Sequence, residues 1–144
     1  MREILFRGKR KDNGEWVYGN LFIPDKADTP TQICTGTNVT RISFYISPET
    51  VGQYTGLVDK NGKKIFEGDI VEANSYIFVV KFGKCGGVDN NDNYGYMGFY
   101  FDGFDKITKD CIEYGLRNDI CYFTEREVIG NIHDNPELLE VDND

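Results

Sequence analysis

The stretch that decides the fold is residues 51–71, VGQYTGLVDKNGKKIFEGDIV. Short apolar runs lie on both sides of Asn61 and Gly62. These two residues tolerate the positive φ angles of a tight hairpin turn, so they predict a reversal between two antiparallel strands. Gly68 and Asp69 then interrupt a second apolar run, as a glycine does at a bulge or sharp corner of a curled sheet.

A second Asn-Gly pair, at residues 13–14, predicts another hairpin near the N-terminus. It lies between the apolar residues 4–6 and the segment 15–21. In that segment Trp16 and Tyr18 share one face and Val17 takes the other, which is the alternation of a strand.

The rest of the chain reads as further short strands separated by turns. Residues 76–82 are apolar on both faces, which predicts a strand at the centre of a packed sheet. The pattern also predicts strands at 41–46, 96–101, 120–123 and 127–132, loops at 24–40 and 83–95, and either a short helix or a loop at 105–116. Asn135 and Pro136 suit the cap and first position of one helical turn near the end.

The predicted fold is therefore mainly all-β: a small curled β-barrel or sandwich with SH3-like spacing of its strands. It has an N-terminal β-hairpin and a short C-terminal helical turn. At 144 residues we expect a single domain over 1–144. Its parts are an N-terminal strand and loop region (1–50), a barrel-like core (51–133) and an acidic tail (134–144).

The charge argues against a nucleic-acid partner. The chain carries a net charge of −8, and residues 134–144 hold five acids and no Lys or Arg, which leaves the remainder at −3. Such a body lacks the positive field that non-specific DNA or RNA binding requires. A basic cluster does exist at Arg7, Lys9, Arg10 and Lys11, and it keeps a nucleic-acid-associated role as the alternative.

The sequence offers no metal, cofactor or membrane chemistry. The cysteines form no CxxC pair, and His133 is the one histidine, so buried inert thiols are a better interpretation than a zinc site. No apolar run is long enough for a spanning helix or a signal peptide, so we expect a cytoplasmic protein with no membrane partner. The cysteines are Cys34, Cys85, Cys111 and Cys121.

Three segments resemble the YopX family of bacteriophage and prophage proteins. They are the opening MREILFRGKRKDNGEWVYG, the central QYTGLVDKNGKKIFEGDIV and the closing EVIGNIHDNPELLE, so the resemblance spans almost the whole chain. The chain departs from the family pattern at residues 9–11 and 84–95. The resemblance implies a phage-encoded, β-rich protein in the host cytoplasm, and it supplies no catalytic residues to carry over.

The shared segments contain polar and glycine residues whose role the sequence leaves open. We favour turns and caps fixed by local hydrogen bonds, and a binding role is the alternative. These motif residues are Tyr54, Gly56, Asp59, Asn61, Gly62, Glu67, Gly68, Asp69, Gly130 and Asn131.

Three functions remain open at this point. A non-enzymatic module that binds an unknown host or phage protein fits best, because Tyr and Phe are abundant and catalytic motifs are absent. A nucleic-acid role is second. Catalysis by the pair Glu67 and Asp69 is third, on the expectation that both point to one face of a strand. Exposed strand edges are also compatible with a homo-oligomer.

Overall fold

The described part of the protein is built from antiparallel strands and two short 3-10 turns. The computed structural model describes residues 3–36, 39–73, 75–85, 96–109, 111–115 and 125–140. The 3-10 turns are Pro48–Thr50 and Pro136–Leu139. Across the described residues, no helix has the length and apolar character that crossing a membrane demands. The predicted all-β class is therefore confirmed, and so is the short helical turn near the C-terminus.

The chain forms two compact units, an N-terminal unit (Met1–Gly56) and a C-terminal unit (Leu57–Asp144). The boundary falls inside the strand Gly52–Val58. The single domain that the sequence predicts stays a prediction.

The N-terminal unit contains antiparallel strands in the order β4-β3-β2-β1-β5. The predicted hairpin is confirmed, because β1 pairs with β2 and Gly14 in the turn has a φ of 72°. Beyond the ends of β1 and β4, Arg10 and Ile46 form an isolated bridge. The strands are β1 Phe6–Lys9, β2 Trp16–Phe22, β3 Gln32–Thr35, β4 Ile42–Tyr45 and β5 Gly52–Val58.

The described residues of 24–40 are mostly loop, as the sequence predicts, but they include strand β3, which the sequence does not signal. This strand pairs with β2 on one side and β4 on the other. Its Ile33 is completely buried, and so is Ile46 after β4. A Cβ on Gly8 would collide with Ile46 and press on Ile33. Tertiary packing of one isoleucine therefore makes a strand where the flanking prolines and polar residues predict a loop.

The C-terminal unit contains the end of β5, which turns back as β6, and a sheet in the order β10-β9-β8-β7-β11. Gly62, at the predicted reversal between β5 and β6, has a φ of 81°. The strands are β6 Lys64–Phe66, β7 Asp69–Ala73, β8 Tyr76–Cys85, β9 Tyr96–Asp105, β10 Cys111–Gly115 and β11 Glu127–Asn131.

The core of this unit lies on the central strands, as the sequence predicts for residues 76–82. Phe78 of β8 is fully buried, and its ring lies 5.4 Å from that of Phe101 on β9. The remaining buried members of the cluster are Ile65, Val71, Ala73 and Val80, with Leu57, Tyr76 and Val128 packed against them.

Three finer expectations are corrected by the structure. Residues 111–115 form strand β10, rather than the helix or loop expected for 105–116, because they pair along β9. Over the described strands neither sheet closes into a barrel. Asn135 occupies the cap position of the last 3-10 turn, but its side chain makes no cap hydrogen bond there. The predicted strand at 120–123 lies outside the described residues.

Candidate functional site

Asp59, one of the motif residues, organises the turn between β5 and β6. Its Oδ1 accepts backbone N–H groups of Asn61 and Lys63, each at 2.9 Å. Its Oδ2 accepts the N–H of Val128 at 3.0 Å, which ties the turn to β11. Burial raises the pKa of this carboxyl. The hydrogen bonds from Val128, Lys63 and Asn61 lower the pKa by more than burial raises it, so the pKa lies below its ordinary value.

The second acidic motif residue, Asp69, closes the turn between β6 and β7. It is almost fully buried, and its Oδ2 accepts the N–H of Phe66 at 2.7 Å. Gly68 has a φ of 92°, which confirms the corner that the sequence indicates. Glu67 precedes this glycine in the turn, and β7 begins at Asp69. The expectation that Glu67 and Asp69 share one face of a strand is therefore wrong.

The closing motif forms a third polar turn. Asn131 Oδ1 accepts the N–H groups of His133 at 3.0 Å and Asp134 at 2.9 Å. The backbone N–H of Asn131 donates to Asn135 Oδ1 at 3.2 Å. A Cβ on Gly130 would approach that Asn135 oxygen to 2.5 Å, so glycine is needed for the close approach.

The remaining motif residues also lie at backbone features. Gly56 has a φ of 91°, and Tyr54 is buried in β5. The polar atoms of Asp59, Asp69 and Asn131 accept hydrogen bonds from backbone amides, which is the chemistry of turns. This arrangement leaves the carboxylates of Asp59 and Asp69 poorly placed to exchange protons with a ligand.

A second candidate site lies on the N-terminal unit, and we call it the aromatic face: Arg7, Lys9, Trp16, Tyr18, Phe22 and Tyr45. Residues paired across antiparallel strands share a face. The pairs Lys9–Trp16 and Arg7–Tyr18 therefore lie on one side of β1 and β2, and Phe22 and Tyr45 flank Gln32 on that same side. Three of these rings are about half exposed: Tyr18 47%, Phe22 50% and Tyr45 58%.

Two cations lie beside the indole ring on this face. The Arg7 guanidinium carbon is 4.7 Å from the centroid of the Trp16 ring, and Lys9 Nζ is 5.5 Å from it. These are cation–π distances. Arg7 is only 5% exposed, so its long side chain is part of the packing.

The basic cluster of the sequence is divided between the two faces of the sheet. Because strand residues alternate, Arg7 and Lys9 lie on the aromatic face, whereas Arg10 lies over the Phe44 ring at 4.6 Å on the other. Arg10 is also paired with Asp12. The four cations therefore do not form one continuous phosphate-binding patch.

The two units differ strongly in charge. The N-terminal unit holds seven Lys or Arg and six Asp or Glu, whereas the C-terminal unit holds nine and eighteen. The acidity of the chain therefore belongs to the C-terminal unit as a whole, and the aromatic face stands on a nearly neutral unit.

The sequence indicated some residues of the aromatic face, but it did not indicate that they lie on one side of a sheet. The alternation of Trp16 and Tyr18 and the basic cluster were both visible in the sequence. Phe22 and Tyr45 join them only through the register of β3, a strand that the sequence does not signal.

Among the described residues, no three His, Cys, Asp or Glu side chains gather as metal ligands. Cys34 is buried, and its Sγ lies 3.2 Å from Ser43 Oγ.

Fold and contacts together define an all-β protein whose motif residues hold turns and whose N-terminal unit presents an aromatic sheet face. The chain belongs to the YopX family: the family model described as YopX protein matches residues 5–140. Among solved structures, the chain is similar to the crystal structure of protein EF1440 from Enterococcus faecalis. The identity is 22%, the match covers 97% of this chain and 100% of that one, and the TM-score is 0.43. No curated protein is significantly similar in sequence.

Proposed function

We propose that this YopX family protein is a phage- or prophage-encoded, non-enzymatic binding module that contacts a partner protein in the host cytoplasm through the aromatic face. The observation that carries the proposal is that Tyr18, Phe22 and Tyr45, each about half exposed, lie on one side of the sheet. Exposed rings of this kind are unusual on a surface that contacts only water.

The composition of the face is that of an interaction surface. Aromatic residues and arginine are enriched where proteins bind each other, and Trp, Tyr and Arg dominate the energetic hot spots. Each aromatic side chain can bury about 150–250 Å² in such a contact. Trp16 and Arg7 are already held against each other, so binding would not have to order them.

A non-enzymatic role is supported by the use of the polar motif residues. Asp59, Asp69 and Asn131 satisfy backbone amides at three turns. A general acid or base needs a carboxyl that a substrate can reach, and Asp69 is almost completely buried.

The double substitution Tyr18→Ser and Phe22→Ser is expected to abolish partner capture while leaving the fold intact. Both rings are about half exposed, so each change should lower the free energy of unfolding by only about 1 kcal/mol, roughly half of what full burial of such a side chain contributes. The tagged protein is used as bait in host lysate, and any captured protein is then purified and titrated calorimetrically against both forms.

The matched control is Phe82→Ser, which removes an equally exposed ring (54%) from β8 of the other unit. It should capture the same partner as the unchanged protein. The proposal fails if the double variant and the unchanged protein recover and bind the same partner with equal affinity.

A nucleic-acid role remains the alternative because two cations lie near the Trp16 ring, and aromatic rings with nearby cations can bind single-stranded nucleic acid. The division of the basic cluster between two faces argues against it. We expect no binding of fluorescent oligo(dT) at about 10 mM salt, where the screening length is about 30 Å and electrostatic attraction is strong. Saturable binding that Trp16→Ala removes would favour the alternative over the protein-binding proposal.

A further inference from the structure

A pocket of about 230 Å³ lies on the N-terminal unit between the β1–β2 turn and the edge strand β4. We call it the edge pocket. Pro30, Phe44 and Tyr45 supply its apolar walls, and Arg10, Lys11 and Asp12 supply the polar ones. Pockets that hold drug-sized ligands and cofactors span about 300–1,000 Å³. The edge pocket therefore has room for a side chain rather than for a cofactor.

The polar wall is held in place before any ligand arrives. The Arg10 guanidinium forms a two-point contact with Asp12, with Nε 2.9 Å from Oδ1 and Nη2 2.5 Å from Oδ2. The same guanidinium lies over the Phe44 ring. The backbone N–H of Lys11 donates to the Tyr45 carbonyl at 3.0 Å, which joins the turn to the end of β4. A ligand would bind to a formed pocket, which lowers the entropic cost of association.

The polar side chains of the pocket, Arg10, Lys11 and Asp12, have a net charge of one positive unit. Arg10 is compensated by the Asp12 carboxylate. The Lys11 side chain is exposed, and within the described residues no carboxylate lies in ion-pair distance of its ammonium. Lys11 is thus the cation left for a ligand, next to two aromatic walls.

We propose that the edge pocket binds an acidic peptide segment of the partner protein, taking one aromatic side chain against Phe44 and Pro30 and a neighbouring carboxylate on Lys11. This inference rests on the proposed protein-binding function and names the chemistry of the segment recognised. Tyr45 belongs to both the aromatic face and the edge pocket, so the two surfaces are continuous.

Complementary charge favours a carboxylate over a phosphate at this place. A phosphate monoester carries a charge between about −1.5 and −2 at neutral pH. It would meet a single uncompensated cation and the nearby Asp12 carboxylate. A peptide carboxylate carries one negative charge, which matches Lys11, and the adjoining aromatic ring fills the apolar part of the pocket.

The test is fluorescence anisotropy with the full chain and a labelled heptapeptide of glycine and serine that carries one central phenylalanine and one neighbouring glutamate. Saturable binding is expected, and it should weaken as salt rises, because the contact with Lys11 is exposed. Exchanging the central phenylalanine for serine should weaken binding at least about tenfold, which corresponds to about 1.4 kcal/mol.

Lys11→Glu should also weaken binding at least about tenfold by reversing the charge at the mouth of the pocket. The control is Lys26→Glu, at another exposed lysine of the same unit, which should leave the affinity within about twofold if charge at the pocket is what matters. Circular dichroism checks that both variants fold.

Three results would overturn the edge-pocket proposal: no binding of the phenylalanine peptide, equal binding of the serine peptide, or equal loss in both lysine variants. Displacement of the peptide by oligo(dT) would also refute it, in favour of a nucleic-acid ligand. None of these affects capture of a partner that depends on Tyr18 and Phe22. Conversely, failure of the Tyr18 and Phe22 experiment removes the proposed function while the peptide titration stands.

Discussion

Replacing Gly103 with alanine is expected to lower the free energy of unfolding by about 3 kcal/mol or more. Gly103 lies inside β9, paired with Phe78 on β8 and with Ile112 on β10. A Cβ at this position would collide with the carbonyl oxygen of Ile77. It would also come within 2.7 Å of the Ile77 carbonyl carbon and of Phe78 Cα. These are backbone atoms of the central strand, which cannot rotate away as a side chain can.

Urea denaturation followed by circular dichroism measures the effect, with Gly14→Ala as the control. Gly14 has a φ of 72°, but a Cβ there would meet no atom within 4 Å. Its cost should be about 1–2 kcal/mol, that of placing an L-residue in the left-handed region. Equal destabilisation by the two alanines would show that β8 can yield at Gly103 and that the steric account is wrong.

The role of Gly103 could not be predicted from the sequence. The segment YMGFYF at 96–101 predicts a strand from its aromatics, and the structure confirms this strand and extends it to Asp105. Nothing in the sequence says that Gly103 permits the close approach of β8. That approach depends on which residue of β8 faces Gly103, and the register is a property of the assembled sheet.

Local chemistry explains which elements the sequence could predict. The hairpins at residues 13–14 and 61–62 follow from Asn-Gly pairs, whose turn geometry is set within a few residues. Strand β8 follows from an apolar run. Strands β3 and β10 are instead held by pairing with neighbours on the sheet, so a polar composition does not prevent them from forming.

The candidate sites likewise contain residues whose role the sequence could predict and residues whose role it could not. The motif residues were favoured as turn and cap residues, and the contacts of Asp59 and Asp69 are of that kind. Predicting the aromatic face would have required knowing that Phe22 and Tyr45 flank the same residue of β3. The edge pocket required the bridge between Arg10 and Ile46, which brings together residues 36 positions apart.

Asp59→Ala is expected to destabilise the C-terminal unit by about 3 kcal/mol. The substitution removes the acceptor of three backbone N–H groups, those of Asn61, Lys63 and Val128. Hydrogen bonds to a charged acceptor contribute about 1.5–3 kcal/mol each, and the exposed Asn61 amide can recover part of its loss from water. Asp28→Ala, at an exposed aspartate, is the control and should change stability by no more than about 0.5 kcal/mol.

Asp59 should also make the free energy of unfolding depend on pH. This dependence reports the contribution of the carboxylate's charge, apart from that of the side chain's size. The pKa of Asp59 is lower in the folded protein than its ordinary value, because the three hydrogen bonds outweigh the effect of burial. The folded state therefore binds this proton less readily than the unfolded chain does. The stabilisation is fully present above the ordinary aspartate pKa of about 3.9 and is lost as pH falls through the lower folded value.

Asp59→Asn tests this linkage, because the amide keeps the size of the carboxyl but carries no charge and has only one acceptor oxygen. We expect it to be destabilised at pH 7 and to show a smaller decrease in melting temperature between about pH 5 and pH 2 than the unchanged protein. The Asp28→Ala control should follow the unchanged protein across that range. If Asp59→Asn and the unchanged protein lose stability in parallel as the pH falls, the Asp59 carboxylate is not the charged acceptor that joins the turn to β11.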